Sequence, residues 1–175
     1  MASMVQITHA AERGFTWIEL LLVLAVAAIL ALMSIPSMHE GVVRKQVKEA
    51  MALADAAKPA VQAAWGLTGE MPADNKAAGL PEPEKIVGSL VSSVRVDNGA
   101  VTVTFGNNAS KVLAGKKITL RPAVVADQLI VPIAWLCHAA GVPKGMEARG
   151  RDETDLPPET LPVECRAPSA PLAGS

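Results

Sequence analysis

The feature that most constrains this chain is an apolar run near its start. Between Phe15 and Ile35, 18 of 21 residues are apolar, the exceptions being Thr16, Glu19 and Ser34. A run of that length matches the ~20 residues that a helix needs to cross a bilayer. The chain therefore reads as a membrane-inserted N-terminal helix carrying a globular remainder. Its 175 residues leave room for one domain with a modest core. The 16 Lys and Arg against 17 Asp and Glu leave a net charge of −1. That balance gives no whole-chain attraction to nucleic acid or to an anionic membrane surface. Five aromatic residues, none of them Tyr, offer little for stacking bases.

A cleavable secretory signal would have a cationic start and an apolar stretch of about 7–15 residues. Here Arg13 is offset by Glu12, the run is longer, and the small-residue triplet Ala25-Val26-Ala27 falls in its middle. A plain membrane anchor explains the length but not Glu19. A charge at mid-bilayer costs roughly 2.5–3.5 kcal/mol on insertion scales and is usually paired. Snorkelling towards the membrane surface is the bland account of Glu19. Pairing with a charge on another molecule is the functional one.

Helical patterning continues past Pro36. Val43, Val47, Ala50, Ala54, Ala57, Val61 and Ala64 form an apolar stripe on one helix face, with Arg44, Lys45, Lys48, Glu49 and Asp55 off it. Residues 15–65 are thus expected to form a helix of 51 residues, about 77 Å long at 1.5 Å per residue. Its first half is apolar all round. Its second half is amphipathic and should pack on a globular head. Pro36 and Pro59 should kink or loosen it. Residues 66–85, with several Gly and Pro, read as a surface connection.

Strand signals follow. Val94 and Val96 alternate with Arg95 and Asp97, Asn98-Gly99 is a two-residue hairpin signal, and Val101, Val103 and Phe105 alternate with Thr102 and Thr104. A second pair is expected around Lys117–Val125 and Leu129–Cys137, with Pro122 and Pro132 near edges or bulges. The fold class is therefore α+β, a long helix on a four-stranded antiparallel meander. Beyond Cys137 the chain is rich in Pro and Gly and has no sustained periodicity. Cys137 and Cys165 bracket most of that segment. In an exported chain an even cysteine count favours a disulfide over two buried thiols. Closing a loop of 28 residues would stabilise by about 3–4 kcal/mol on loop-entropy arguments.

The sequence Gly14-Phe15-Thr16-Trp17-Ile18-Glu19-Leu20 resembles the cleavage and assembly signature of type IV prepilins. Pro36 falls at position 22 counted from Phe15, where that family commonly has Pro. Trp17 stands where Leu is usual, and a 14-residue leader is longer than many. The C-terminal half adds Trp135-Leu136-Cys137 and Leu161-Pro162-Val163-Glu164-Cys165, similar to the cysteine-flanking motifs of type IV pilins, which tie a C-terminal loop to the sheet with one disulfide. The resemblance implies removal of residues 1–14 by a prepilin peptidase cutting after Gly14, and N-methylation of Phe15. It implies that Glu19 guides subunit register by pairing with a neighbour's N-terminal ammonium. It also implies a membrane and filament-core helix over 15–36, an amphipathic half over 37–66, and a head over 67–175. Within that head the sheet spans about 88–137, the disulfide loop 137–165 and the tail 166–175.

What the resemblance implies about function is a structural subunit of a type IV pilus, a helical homopolymer serving adhesion, twitching motility and DNA uptake in some members. Its partners would be copies of itself, the peptidase and methyltransferase, an inner-membrane assembly platform and minor pilins. Its location would be first the inner membrane, as a single-pass protein, and then the extracellular filament of a bacterium. A minor pilin and a type II secretion pseudopilin share the N-terminal signature. A membrane-tethered binding module that never polymerises is the alternative of a different class. No catalytic motif, metal-ligand spacing or cofactor site is found, and His9, His39 and His138 are widely spaced. No enzymatic activity is expected. The run Arg151-Asp152-Glu153-Thr154-Asp155 reads as a solvated loop rather than a cation site. Arg44, Lys45 and Lys48 read as a solvated face or a lipid-headgroup contact, with DNA the less favoured partner. Asn108-Ala109-Ser110 matches a glycosylation triplet, and Ser169 and Ser175 in the Pro-rich tail are candidates for O-glycan.

Overall fold

The computed structural model describes residues 16–34 and 36–166, the side chains of 32–40 excepted. It divides into two compact units, residues 1–38 and 39–175. In the first unit, α1 (Trp17–Ser34) is apolar on every side, so it has no face to bury and its described side chains are exposed. Thr16 caps it. The Glu19 N–H donates to the Thr16 hydroxyl oxygen at 3.3 Å and to its carbonyl at 3.0 Å. Among the described residues no helix is long and apolar enough to cross a membrane. The 18 residues of α1 reach about 27 Å against a hydrocarbon core of ~30 Å. The apolar run itself extends to Phe15 and Ile35, which lie outside the described residues. The single expected helix is described as α1 and α2 (Pro36–Thr68), with Ile35 between them.

In the second unit α2 lays one stripe on the sheet. Val43, Val47, Ala50, Ala54, Ala57 and Val61 are buried as their spacing implies, and Trp65 closes the row in place of Ala64. Either position suits a 3.6-residue period, and the larger ring fills the space. The helix continues through Pro59 without interruption. Pro59 lies on the exposed side, where the carbonyl it leaves without a donor faces water. α2 extends three residues past the expected end. Gly69, at φ +73°, sends its N–H back to the Trp65 carbonyl at 2.9 Å, a left-handed stop that favours glycine.

The sheet follows as β1 (Val91–Asp97), β2 (Ala100–Phe105), β3 (Lys117–Val124) and β4 (Ala134–Cys137), antiparallel in that spatial order. Asn98 and Gly99 both have positive φ, 48° and 81°, as a two-residue hairpin of this type requires. The fourth strand is shorter than expected, because residues 129–133 form a loop instead. A two-residue β5 (Glu147–Ala148), not anticipated, pairs with β3 beyond the end of β2. Pro122 sits in that gap. Its carbonyl accepts from the Arg149 N–H at 2.8 Å, so its missing N–H faces the same edge, where no β2 ladder is interrupted.

One sheet face, with Val94, Val96, Val101, Val103, Phe105, Ile118 and Leu120, meets the α2 stripe in a single core. On the other face Thr102 and Thr119, both buried, hydrogen-bond through their hydroxyls at 3.0 Å. The connection after α2 is more than a surface loop. Buried Asn75 donates to the carbonyls of Pro81 (2.9 Å) and Val94 (3.0 Å) and accepts from the Val96 N–H (2.6 Å). It thereby occupies the outer edge of β1, which would otherwise present unpaired backbone groups.

Candidate functional site

Two regions carry the expected site residues. At the start of α1, Glu19 is in the first helical turn with an exposed side chain. A carboxylate there is favoured by the partial positive charge of the helix start. Gly14 and Phe15 lie outside the described residues, as do Ser169 and Ser175. Pro36 is the first residue of α2, a position where its missing N–H costs nothing.

The second region is the segment that follows the sheet. Cys137 ends β4 and Cys165 sits in a 3₁₀ turn at Val163–Cys165; the two form a disulfide with Cα atoms 4.8 Å apart, and both are buried. Leu156 and Leu161, also buried, place part of the loop in the core. The acidic run is docked rather than solvated, which corrects the sequence-based expectation. Asp155 accepts from the Lys117 N–H at 2.6 Å, and Thr154 from the Thr119 N–H at 3.0 Å. These contacts cover the edge of β3 that β4 leaves free. Glu153 reaches Arg95 at 2.7 Å with one carboxylate oxygen and Lys117 at 3.0 Å with the other.

The hydrogen bond from Arg95, then that from Lys117, holds the Glu153 carboxyl below the usual range. The same bond raises Arg95. Burial would raise Asp152, but hydrogen bonds from Thr154 and the nearby His138, whose Nδ1 lies 3.0 Å away, outweigh it and hold the carboxyl low. With each acid engaged by protein groups, the run has the wiring of a clamp. No cluster able to hold a metal ion occurs among the described residues. The basic cluster is engaged in part: Arg44 donates from Nε to the Glu159 carbonyl at 3.0 Å, and Arg166 donates to the same carbonyl at 3.2 Å. Lys45 and Lys48 remain exposed.

The helix-on-meander core and the disulfide-closed segment coincide with a known pattern. The family model Pilin, described as a bacterial filament, matches residues 43–166. The chain belongs to the pilin family. It is 33% identical over 161 residues to a type IV major pilin protein, PilE1, of Neisseria gonorrhoeae, covering 89% of this chain and 87% of that protein. With another type IV major pilin protein, PilE, of the same organism it shares 40% identity over 127 residues, 72% of this chain and 74% of that one. A fimbrial protein of Neisseria meningitidis serogroup A is 40% identical over 127 residues, 72% of each chain.

The sequence reading of this pilin missed Thr16 as a helix cap, although a Thr three residues before Glu is a recognisable start signal. It also missed Asn75 as an edge staple and Glu153 as a bridge. Those two had no local signal, since the strand groups that Asn75 meets lie 19–21 residues away and the partners of Glu153 lie 36–58 residues away. Lys58 lies 5.3 Å from the centre of the Trp135 ring, a cation–π contact that joins α2 to β4.

Proposed function

We propose that this pilin is the repeating structural subunit of a type IV pilus. The observation that carries the reading is α1 itself, an 18-residue helix apolar on all sides and exposed, with one carboxylate in its first turn. Such a helix is unstable in water and must be covered, by lipid before assembly and by other copies in a filament. The names of the relatives, type IV major pilin proteins, favour a main component over a minor one. The chain is held first as a single-pass protein of the inner membrane. There a prepilin peptidase removes residues 1–14, and methylation of the new Phe15 amine keeps its cation. An assembly platform then draws α1 from the lipid into the filament core. Attachment and twitching motility are the activities that such a filament serves.

Glu19 follows the Phe15 amine by four residues, hence on the same helix face. Among packed apolar helices an unpaired carboxylate is costly, whereas one beside a neighbour's ammonium is compensated. Wrong axial registers are thereby penalised. Pro36 supplies the point at which the helix accommodates the curvature of packing. The test is Glu19→Ala expressed as the only pilin. Processing and membrane insertion should proceed, while sheared filament falls to a small fraction of wild type. Filament yield equal to wild type would remove Glu19 from assembly.

A further inference from the structure

In the head, α2 and the last described segment enclose a groove of about 270 Å³. Four of the residues that line it are cations, Arg44, Lys45, Lys48 and Arg166, against one carboxylate, Glu164. Positions 44, 45 and 48 fall on one helix face, so three of these cations converge by spacing alone. The fourth is brought by the disulfide, which holds Cys165 in the core next to Arg166. The Glu159 carbonyl accepts from Arg44 at 3.0 Å and from Arg166 at 3.2 Å, and the Leu161 carbonyl accepts from Arg166 at 3.1 Å. Gly41 leaves one end open: among the described residues nothing lies within 4 Å of a Cβ added there.

The positive charge of this groove is not balanced from within. Lys45 and Lys48 are exposed, and among the described residues neither forms an ion pair. Arg166 is held by carbonyls, which carry no net charge. Glu49, the acid that follows Lys48, accepts from the Ser89 hydroxyl at 3.2 Å and so is turned to the segment before β1. Apolar side chains stand beside these cations. Val163, in the groove wall, is 76% exposed, and Val42, three residues before Lys45 on α2, is 55% exposed. A dissolved phosphate or a nucleic acid would meet the cations and leave both valines in water. A bilayer surface meets both needs, because its phosphates face the amines while apolar groups enter the layer beneath. Gly41 is seven residues beyond Ser34, a stretch that reaches about 25 Å even when extended. A bilayer that holds α1 is therefore within reach.

We propose that the groove of Arg44, Lys45, Lys48 and Arg166 docks the head on anionic lipid headgroups, with Val42 and Val163 entering the interface. This inference rests on the single-pass membrane reading of α1 and adds what holds the head to the bilayer before assembly.

The experiment places benzoylphenylalanine at Val163 in the full chain, reconstituted in phosphatidylcholine vesicles with a minor share of phosphatidylglycerol. Duplex DNA is added outside the vesicles. Irradiation should give lipid adducts in which phosphatidylglycerol exceeds its share of the bilayer about fivefold. Lys45→Glu with Lys48→Glu should abolish that excess. Adducts in proportion to bilayer composition, adducts to DNA in place of lipid, or no adduct at all would each overturn the docking while leaving the membrane reading of α1 intact. A chain that fails to float with pure phosphatidylcholine vesicles overturns both. If the chain carrying the photoreactive residue does not fold, amine acetylation of the unmodified chain decides. Lys45 and Lys48 should react about fivefold more slowly on vesicles containing phosphatidylglycerol than on neutral ones, while exposed Lys76 reacts equally on both. Equal rates at Lys45 and Lys48 on the two vesicles overturn the proposal.

Discussion

Glu153 joins two strands that do not neighbour each other. Arg95 belongs to β1 and Lys117 to β3, with β2 between them. Because these cations favour the ionised carboxylate, the folded chain binds its proton less readily than the unfolded one. The stability it contributes is complete above the ordinary Glu range near pH 4–5, and is lost as pH falls through the lowered folded value. Asp152 acts in the same direction. Both partners of the Arg95 pair are partly exposed, so the gain is modest. Glu153→Gln should cost about 0.5–1 kcal/mol at pH 7 and clearly less at an acid pH low enough to protonate the wild-type group. Denaturant titrations at the two pH values check this. An equal cost at both would show that charge is not what fastens the segment. The run Arg151–Asp155 looked solvated in the sequence because a polar stretch among Pro and Gly reads the same whether free or docked. The cysteines were legible for the opposite reason, since their chemistry leaves few alternatives in an exported chain.

Elements with a strong local code were read correctly. The α2 stripe and the Asn-Gly hairpin each follow from a period or a turn that neighbouring residues impose on one another. β4 did not follow: Leu129–Cys137 has strand composition, yet only Ala134–Cys137 pairs. The remainder, interrupted by Pro132, becomes a loop. β5 is two residues long and exists only because β2 ends early against β3, which no local pattern encodes. The connection after α2 likewise depends on its target. Asn75 supplies the hydrogen bonds that the outer edge of β1 lacks. Asn75→Ala leaves the buried Val96 N–H and Val94 carbonyl without these partners, so it should destabilise the head by about 2–3 kcal/mol. The same connection should lose protection from hydrogen exchange ahead of the β2–β3 core. Unchanged exchange in residues 72–81 would mean that Asn75 does not hold the edge.

At the scale of the whole molecule, the chain pairs a helix that cannot remain in water with a head closed by one covalent bond. Cys165→Ser should leave α2 and the four main strands folded, because between the cysteines only Leu156 and Leu161 join their buried core. It should lower stability by about 3–4 kcal/mol and open residues 138–166 to protease while β1–β3 stay resistant. Cleavage throughout the sheet at the same rate would show instead that the bond holds the core itself. The architecture was legible because both ends carry motifs with few other uses, and the middle carries simple periodicities. What the sequence withheld was how the C-terminal segment meets the sheet, which is a matter of contacts across 17–58 residues. The central claim is that the chain is a processed subunit polymerised through its apolar helix. Intact mass of the main component of sheared surface filaments tests it most directly. The account predicts a single species beginning at Phe15 and carrying one added methyl group, with Cys137 and Cys165 joined. Full-length chain retained in the membrane and absent from filaments would contradict it.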